Sequence, residues 1–375
     1  MPLHMDPAIR LLRDLVAIDS VNPSLVPGAA GEAQIADAVA AHMRRAGFDV
    51  ELQDAAPGRP NVIGVIEGRT PGPTLMFCGH LDTVGVEGMA APFDPIERDG
   101  RLYGRGSQDM KGGVAAMVDA ARVVAAGGLD SGRLIVAAVV DEEYASIGAD
   151  TLVTRWTADA AIVTEPTNLQ IAIAHKGFAW LEVVTRGRAA HGSRPADGRD
   201  AIVRMGRVLV RLEQLDRALA SRAGHPLLGA PSVHASLIEG GRELSSYPDR
   251  CALRLERRTI PGETDRMVAD EIQALLAALA GEDPEFEATL TPLMARPAYA
   301  IAPDHRLPQS LARASGATEF AGMSFWTDAA VLGSAGIASV LFGPGGAGLH
   351  GTEEYVLIAD VLHCRDVLAA LARSW

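Results

Sequence analysis

The sequence predicts a mixed α/β fold with a largely parallel sheet, into which a smaller βαββαβ plait is inserted. Three observations carry this expectation. Short, continuously apolar runs alternate with amphipathic helical stretches in the first half of the chain, the pattern of strands buried on both faces. From about residue 177 to 293 the order changes to strand, helix, two strands, helix, strand, which is the split-βαβ unit. Apolar strand-like and helical segments then resume to the C-terminus. With 375 residues, 48% of them hydrophobic, the chain is long enough for a large and a small domain. We therefore expect one domain from residues 1–176 and 294–375, and an inserted domain over 177–293.

Taken in order, Ile9, Leu12 and Val16 mark an opening helix that stops before the Pro/Gly-rich loop at Pro23. Ala33 to Ala46 repeats the pattern, with Gly47 placed as its cap. Asn61–Ile66, Thr74–Cys78 and Arg133–Val140 read as strands, with an Ala/Val/Met-rich helix from Gly113 to Ala126 before the last. Ala160–Thr164 is another strand. In the inserted unit, Phe178–Thr185 is a strand. Asp200–Ala220 is a helix with Ile202, Met205, Leu209, Leu212 and Leu219 on one face. Ser232–Leu237 and Arg250–Arg258 are strands around a Gly240-Gly241 turn, Thr264–Leu279 is a helix, and Glu285–Leu293 is the closing strand. Val331 and Ala338–Phe342 are expected to return to the core as strands, and Val361–Ala372 to close the chain as a helix.

Charge narrows the partner classes. Thirty-four Lys plus Arg against 47 Asp plus Glu give a formal net charge of -13. That excess repels phosphate backbones and anionic lipid, which disfavours nucleic acid and membrane surfaces as partners. There is no 18-residue apolar run, so no membrane span is expected. Residues Met1 to Val16 are charged and amphipathic, unlike a signal peptide. Cys78, Cys251 and Cys364 are odd in number and widely spaced. They read as reduced, mostly buried thiols of a cytoplasmic protein.

The residues with chemistry in them cluster at strand exits. In Cys78-Gly79-His80-Leu81-Asp82, positions 80 and 82 share one side of an extended chain, where a His can bind metal and the Asp can fix its imidazole. Asp109 lies in the glycine-flanked run Gly104–Gly113, where it reads either as a ligand brought close to an ion or as a plain helix cap. Asp141-Glu142-Glu143 ends another apolar strand. Buried acids there need a positive partner, while a solvated loop would need none. Glu165 repeats the device after the next strand, and His350 sits in a Gly-rich loop. Together, His80, Asp109, Glu143, Glu165 and His350 can meet at one sheet edge. Two His with several carboxylates and no Cys suit a pair of divalent ions such as zinc, cobalt or manganese. Such a pair shares a carboxylate and a water, leaving an adjacent acid as proton acceptor.

With these motifs in view, the chain resembles the zinc metallopeptidase family of acetylornithine deacetylase, succinyl-diaminopimelate desuccinylase, aminoacylase and glutamate carboxypeptidase. The matching segments are GHLDTV (79–84), GRGSQDMKGG (104–113), DEE (141–143), TEPT (164–167), AHGSRP (190–195), RRTIPGET (257–264), TDAAVL (327–332) and the GPGG loop leading to His350. The resemblance implies that His80 and Glu165 hold one metal, Glu143 and His350 the other, and Asp109 bridges them. It implies that Glu142 is the general base, that Asp82 orients His80, and that the Asp109–Met110 peptide is cis. The inserted domain becomes a lid and dimerisation domain, whose His191 stabilises an oxyanion in a neighbouring subunit's site. Arg258 would grip a substrate carboxylate, with adjacent Arg257 as the alternative. Ser245 stands where many relatives carry a substrate-binding Asn, which leaves substrate identity open. The implied protein is a homodimeric hydrolase of a small N-acyl amino acid. A carboxypeptidase or dipeptidase is the runner-up, and a metal-retaining binding protein without turnover the rival of another class.

Overall fold

Asp6 accepts a hydrogen bond from the Ala8 amide, and Pro7 occupies the first helical position, so the chain enters α1 (Pro7–Val16) abruptly. The computed structural model describes residues 5–375, which form two units. The first unit contains the chain up to Ile173, Ile301–Ala321 and Thr327–Trp375; the second contains Ala174–Ala300 and Gly322–Trp326. After α1 come α2 (Ala33–Arg45), the antiparallel pair β1 (Asp49–Ala56) and β2 (Arg59–Glu67), then β3 (Thr70–His80). Short strands β4 (Ile96–Arg98) and β5 (Arg101–Tyr103) precede an irregular turn, Ser107–Lys111, and α3 (Gly112–Gly127). There follow β6 (Ser131–Val139), α4 (Ile147–Leu152), β7 (Ala160–Val163) and β8 (Ile171–His175).

Helix α3 is buried along nearly its whole length, from Gly112 to Ala121, which explains its run of small and apolar residues. A Cβ added at Gly113 would lie 2.0 Å from the Thr164 carbonyl oxygen. Only glycine lets this helix start against the exit of β7.

The second unit is the βαββαβ plait: β9 (Gly177–Arg186), α5 (Ala201–Ala220), β10 (Ser232–Gly240), β11 (Arg250–Thr259), α6 (Asp265–Glu282) and β12 (Glu287–Arg296). Its strands run β10-β11-β9-β12, every pair antiparallel. Asp200 and Thr264 cap the helices by accepting hydrogen bonds from the Val203 and Met267 amides. Met205, Val208, Leu212 and Leu219 of α5 and Ile272, Leu276 and Leu279 of α6 pack on Leu181, Val183, Leu253 and Leu255. Ile202 does not join them. It is 43% exposed, because Ala201 takes the inward place in the first turn. Gly240 is the last residue of β10, and the connection to β11 is a longer loop.

The chain then forms β13 (Tyr299–Ala300), paired with the end of β8, followed by α7 (Arg306–Ser315) and β14 (Phe320–Met323). The segment around Val331, expected as a strand, is instead helix α8 (Ala329–Ser334). Thr327 Oγ1 accepts from the Ala329 amide and starts the turn. Strands β15 (Ala338–Leu341), β16 (Gly346–Ala347) and β17 (Tyr355–Leu357) lead into α9 (Ile358–Ser374).

In the first unit the strand order is β1-β2-β6-β3-β7-β15-β8. The central β6, β3, β7 and β15 are parallel, while β1, β2 and β8 run antiparallel to their neighbours. Parallel pairing of His80 with Val139, and of Cys78 with Val163, brings the exits of β3, β6 and β7 to one edge. In such sheets the carboxyl edge is where ligands bind.

Candidate metal centre

His80 is the last residue of β3 and is 1% exposed. Its Nδ1 lies 3.0 Å from the Asp82 carbonyl oxygen. A carbonyl only accepts, so Nδ1 carries a proton, and Nε2 is the nitrogen that would meet a metal. That nitrogen faces Asp109 Oδ1 at 3.1 Å and Glu142 Oε2 at 3.9 Å. The other Asp109 oxygen lies 3.5 Å from His350 Nε2, which is also 3.1 Å from Glu143 Oε2. Asp109 therefore stands between the two imidazoles. Donor atoms of His80, Glu142 and Glu165 lie within 4.8 Å of one another, as do those of His80, Asp109 and Glu143.

The electrostatics of these acids are strained toward neutrality. Burial, then repulsion from Glu165, pushes the Glu142 carboxyl well above its ordinary range. Burial also raises Glu165, and it lifts Glu143 to about 7 with help from Asp109. Burial acts to raise Asp109 too, but hydrogen bonds from His350 and His80 outweigh it and hold that carboxyl low. His350 is raised to about 10, mainly by its hydrogen bonds to Asp109 and Glu143.

These residues fit divalent ions. Four carboxylates crowd two imidazoles, and Glu143 Oε1 is buried with no hydrogen-bond partner among the described residues. A cation would satisfy that oxygen and relieve the repulsion. The donors are nitrogen and oxygen only, which suits zinc, cobalt or manganese.

Two buried carboxylates hold the acidic loops without joining the cluster. Asp82 accepts from the Glu142 and Glu143 amides at 3.1 Å each. Its carboxylate is 3.7 Å from His80 Nδ1, so it is the Asp82 carbonyl, not the carboxylate, that accepts from His80. Glu354, which sequence reading missed, accepts from the amides of Gly106, Gln108 and Asp109 and from Arg105. Its only sequence signal is an acid four residues after His350. The Asp109–Met110 peptide is cis.

The remaining candidates lie in the second unit. The Ser193 amide donates to His191 Nδ1 at 3.2 Å, and Ser193 Oγ is 2.8 Å from the same atom. An accepting Nδ1 places the proton on Nε2. The Ser245 carbonyl accepts from the Gly192 amide at 2.7 Å, bracing the same loop. The two arginines separate cleanly. Arg257 is 1% exposed and locked to Glu263 at 2.7 Å and Glu271 at 3.3 Å. Arg258 is about a third exposed, pairs with Glu256 at 2.6 Å and lies over the Phe178 ring.

Residues 76–374 match the family model described as Peptidase family M20/M25/M40. The chain is 34% identical to the acetylornithine deacetylase of Myxococcus xanthus, over 97% of this chain and 96% of that one. It is 27% identical to the N-formyl-4-amino-5-aminomethyl-2-methylpyrimidine deformylase of Bacillus subtilis, over 99% and 95%. Among solved structures, aminopeptidase PepT from Bacillus cereus shares the fold with a TM-score of 0.80 at 20% identity, over 98% of this chain and 97% of that one.

Proposed function

The chain belongs to peptidase family M20/M25/M40 and is a metal-dependent hydrolase; from that premise we propose that it cleaves the amide bond of a small N-acyl amino acid. The observation that carries the reading is Asp109 set between His80 and His350, with Glu142, Glu143 and Glu165 around them. In this reading two divalent ions, zinc foremost, would be held by His80, Glu165, Glu143 and His350, with Asp109 as the ligand common to both. When bound, they supply positive charge that polarises the scissile carbonyl and acidifies a water. Glu142 takes the water's proton and delivers it to the leaving nitrogen. Asp82 fixes the backbone from which Glu142 projects.

The second unit is proposed as lid and dimerisation domain. His191 offers an Nε2–H to the oxyanion of a partner's site. Arg258, rather than the locked Arg257, grips the substrate carboxylate with its planar fork, and Ser245 lies in the loop that meets the substrate. Edge strand β10 exposes Leu237 (62%) and Ile238 (56%), an apolar edge suited to pairing across a two-fold axis. Cys78, Cys251 and Cys364 are free and buried, which supports a cytoplasmic location. No helix among the described residues is long and apolar enough to cross a membrane. The deacetylase and deformylase relatives favour acyl removal over peptide cleavage. A panel of N-acetyl, N-succinyl and N-formyl amino acids and dipeptides, assayed with zinc, cobalt or manganese, tests this. Turnover of dipeptides alone would replace it with the peptidase reading, and binding without any hydrolysis would reject both.

A further inference from the structure

A buried polar relay runs behind the acid pair and ends on a residue that no motif singled out. Asp141, immediately before Glu142, adopts a left-handed backbone at φ 69° and is 1% exposed. Its carbonyl accepts from the Ala145 and Ser146 amides, closing the turn that carries Glu142 and Glu143. Its Oδ1 receives Arg59 Nη2 at 2.8 Å and Asn22 Nδ2 at 3.0 Å. The same Asn22 nitrogen donates to Asp82 Oδ2 at 2.7 Å, and Asp82 in turn accepts from the Glu142 and Glu143 amides. Asn22 Oδ1 accepts from the Ser24 amide and from Arg59 Nη2, so this amide has one satisfied orientation only. Arg59 Nε binds Glu32 Oε2 at 2.8 Å, and Nη2 also reaches Glu32 Oε1. Glu32, Asn22 and Asp82 are each 0% exposed.

We propose that Arg59 is a positioning residue for hydrolysis: it anchors Asp141 and Asn22, and through them sets where the Glu142 carboxylate stands. Arg59 opens β2, and in chain it is far from the acids it serves. Its planar fork holds Glu32 with one edge and still reaches Asp141, Asn22 and, at 3.0 Å, Ser24 Oγ. A lysine ammonium at the same place cannot span that set. The bland alternative is that Arg59 merely neutralises buried Glu32. The two readings differ in what restoring charge balance achieves.

The inference rests on Glu142 as the base, so Glu142→Gln is measured alongside. In the metal-loaded full chain, Arg59→Met should lower kcat on the order of 10- to 100-fold, the usual cost of losing a residue that orients metal-site groups. KM should change little, because substrate binding is untouched. The double variant Arg59→Met/Glu32→Gln restores the net charge of the cluster while Asp141 still lacks its arginine, so it should regain part of the thermal stability but not kcat. Wild-type kcat in the double variant would overturn the proposal. So would wild-type kcat in folded Arg59→Met. If the single variant does not fold, the double variant alone decides. Full turnover in Glu142→Gln would instead discard the assignment of the base, a separate failure.

Discussion

Acid should weaken this protein through His175, and the size of the effect can be worked from its surroundings. His175 is 0% exposed, donates from Nδ1 to the Lys176 carbonyl at 2.9 Å, and packs near the rings of Tyr299 and Trp326. Nε2 has no hydrogen-bond partner among the described residues. Burial lowers its pKa from 6.5 to about 4. Between those values the unfolded chain binds a proton that the folded chain refuses. Stability due to this residue is therefore complete above 6.5, falls as pH drops through the interval, and is gone below about 4. At about 1.4 kcal/mol per pH unit, the interval corresponds to about 3 kcal/mol. Urea denaturation of wild type and His175→Asn at pH 7, 5.5 and 4.5 measures it. Asparagine keeps a donor near the Nδ1 position and cannot titrate. The gap between the two proteins should shift in the variant's favour as pH falls. Parallel pH profiles would mean that His175 charges freely in the folded state, refuting the argument from burial.

The adjacent arginines should behave oppositely. Arg257→Met leaves Glu263 without its arginine, while Glu271 keeps Arg222 at 2.8 Å, and should cost about 3 kcal/mol of stability by urea denaturation, with kinetics of the folded enzyme intact. Arg258→Met should cost less than about 1 kcal/mol, given its partly exposed pair, but should raise KM for carboxylate-bearing substrates; the reverse pattern would exchange their roles. Mixing Glu142→Ala and His191→Ala proteins under conditions of subunit exchange should restore about a quarter of the sites, since half the dimers are hybrids with one complete site of two. No recovery after verified exchange would remove His191 from a partner's site.

Much of the fold is legible in the sequence because its elements announce themselves locally. The capped, periodic helices α5 and α6 and the apolar β3, β6 and β7 need only nearby residues to specify them. Val331 misled because a short apolar run does not distinguish strand from helix, and the local turn that Thr327 Oγ1 closes onto the Ala329 amide lies just before it. Ile202 misled because helical phase at a first turn is set by what the helix packs on. The acids and imidazoles at strand exits were legible because such side chains stand out at the ends of apolar strands, and the structure brings them together. Glu354 and Arg59 were not. Their partners lie far off in the chain, Glu354 on the 106–109 amides and Arg59 on Glu32 and Asp141. Nothing local marks an acid that caps amides, or an arginine that holds a turn.

The central claim is that Glu142 moves the proton while Glu143 holds an ion. It is tested most directly by measuring metal content and turnover together in Glu142→Ala and Glu143→Ala. Glu142→Ala should keep two ions per chain and lose about 100-fold or more of kcat, the scale of general-base catalysis. Glu143→Ala should retain fewer ions than wild type. Loss of metal from Glu142→Ala, or near-normal turnover in it, would contradict the account.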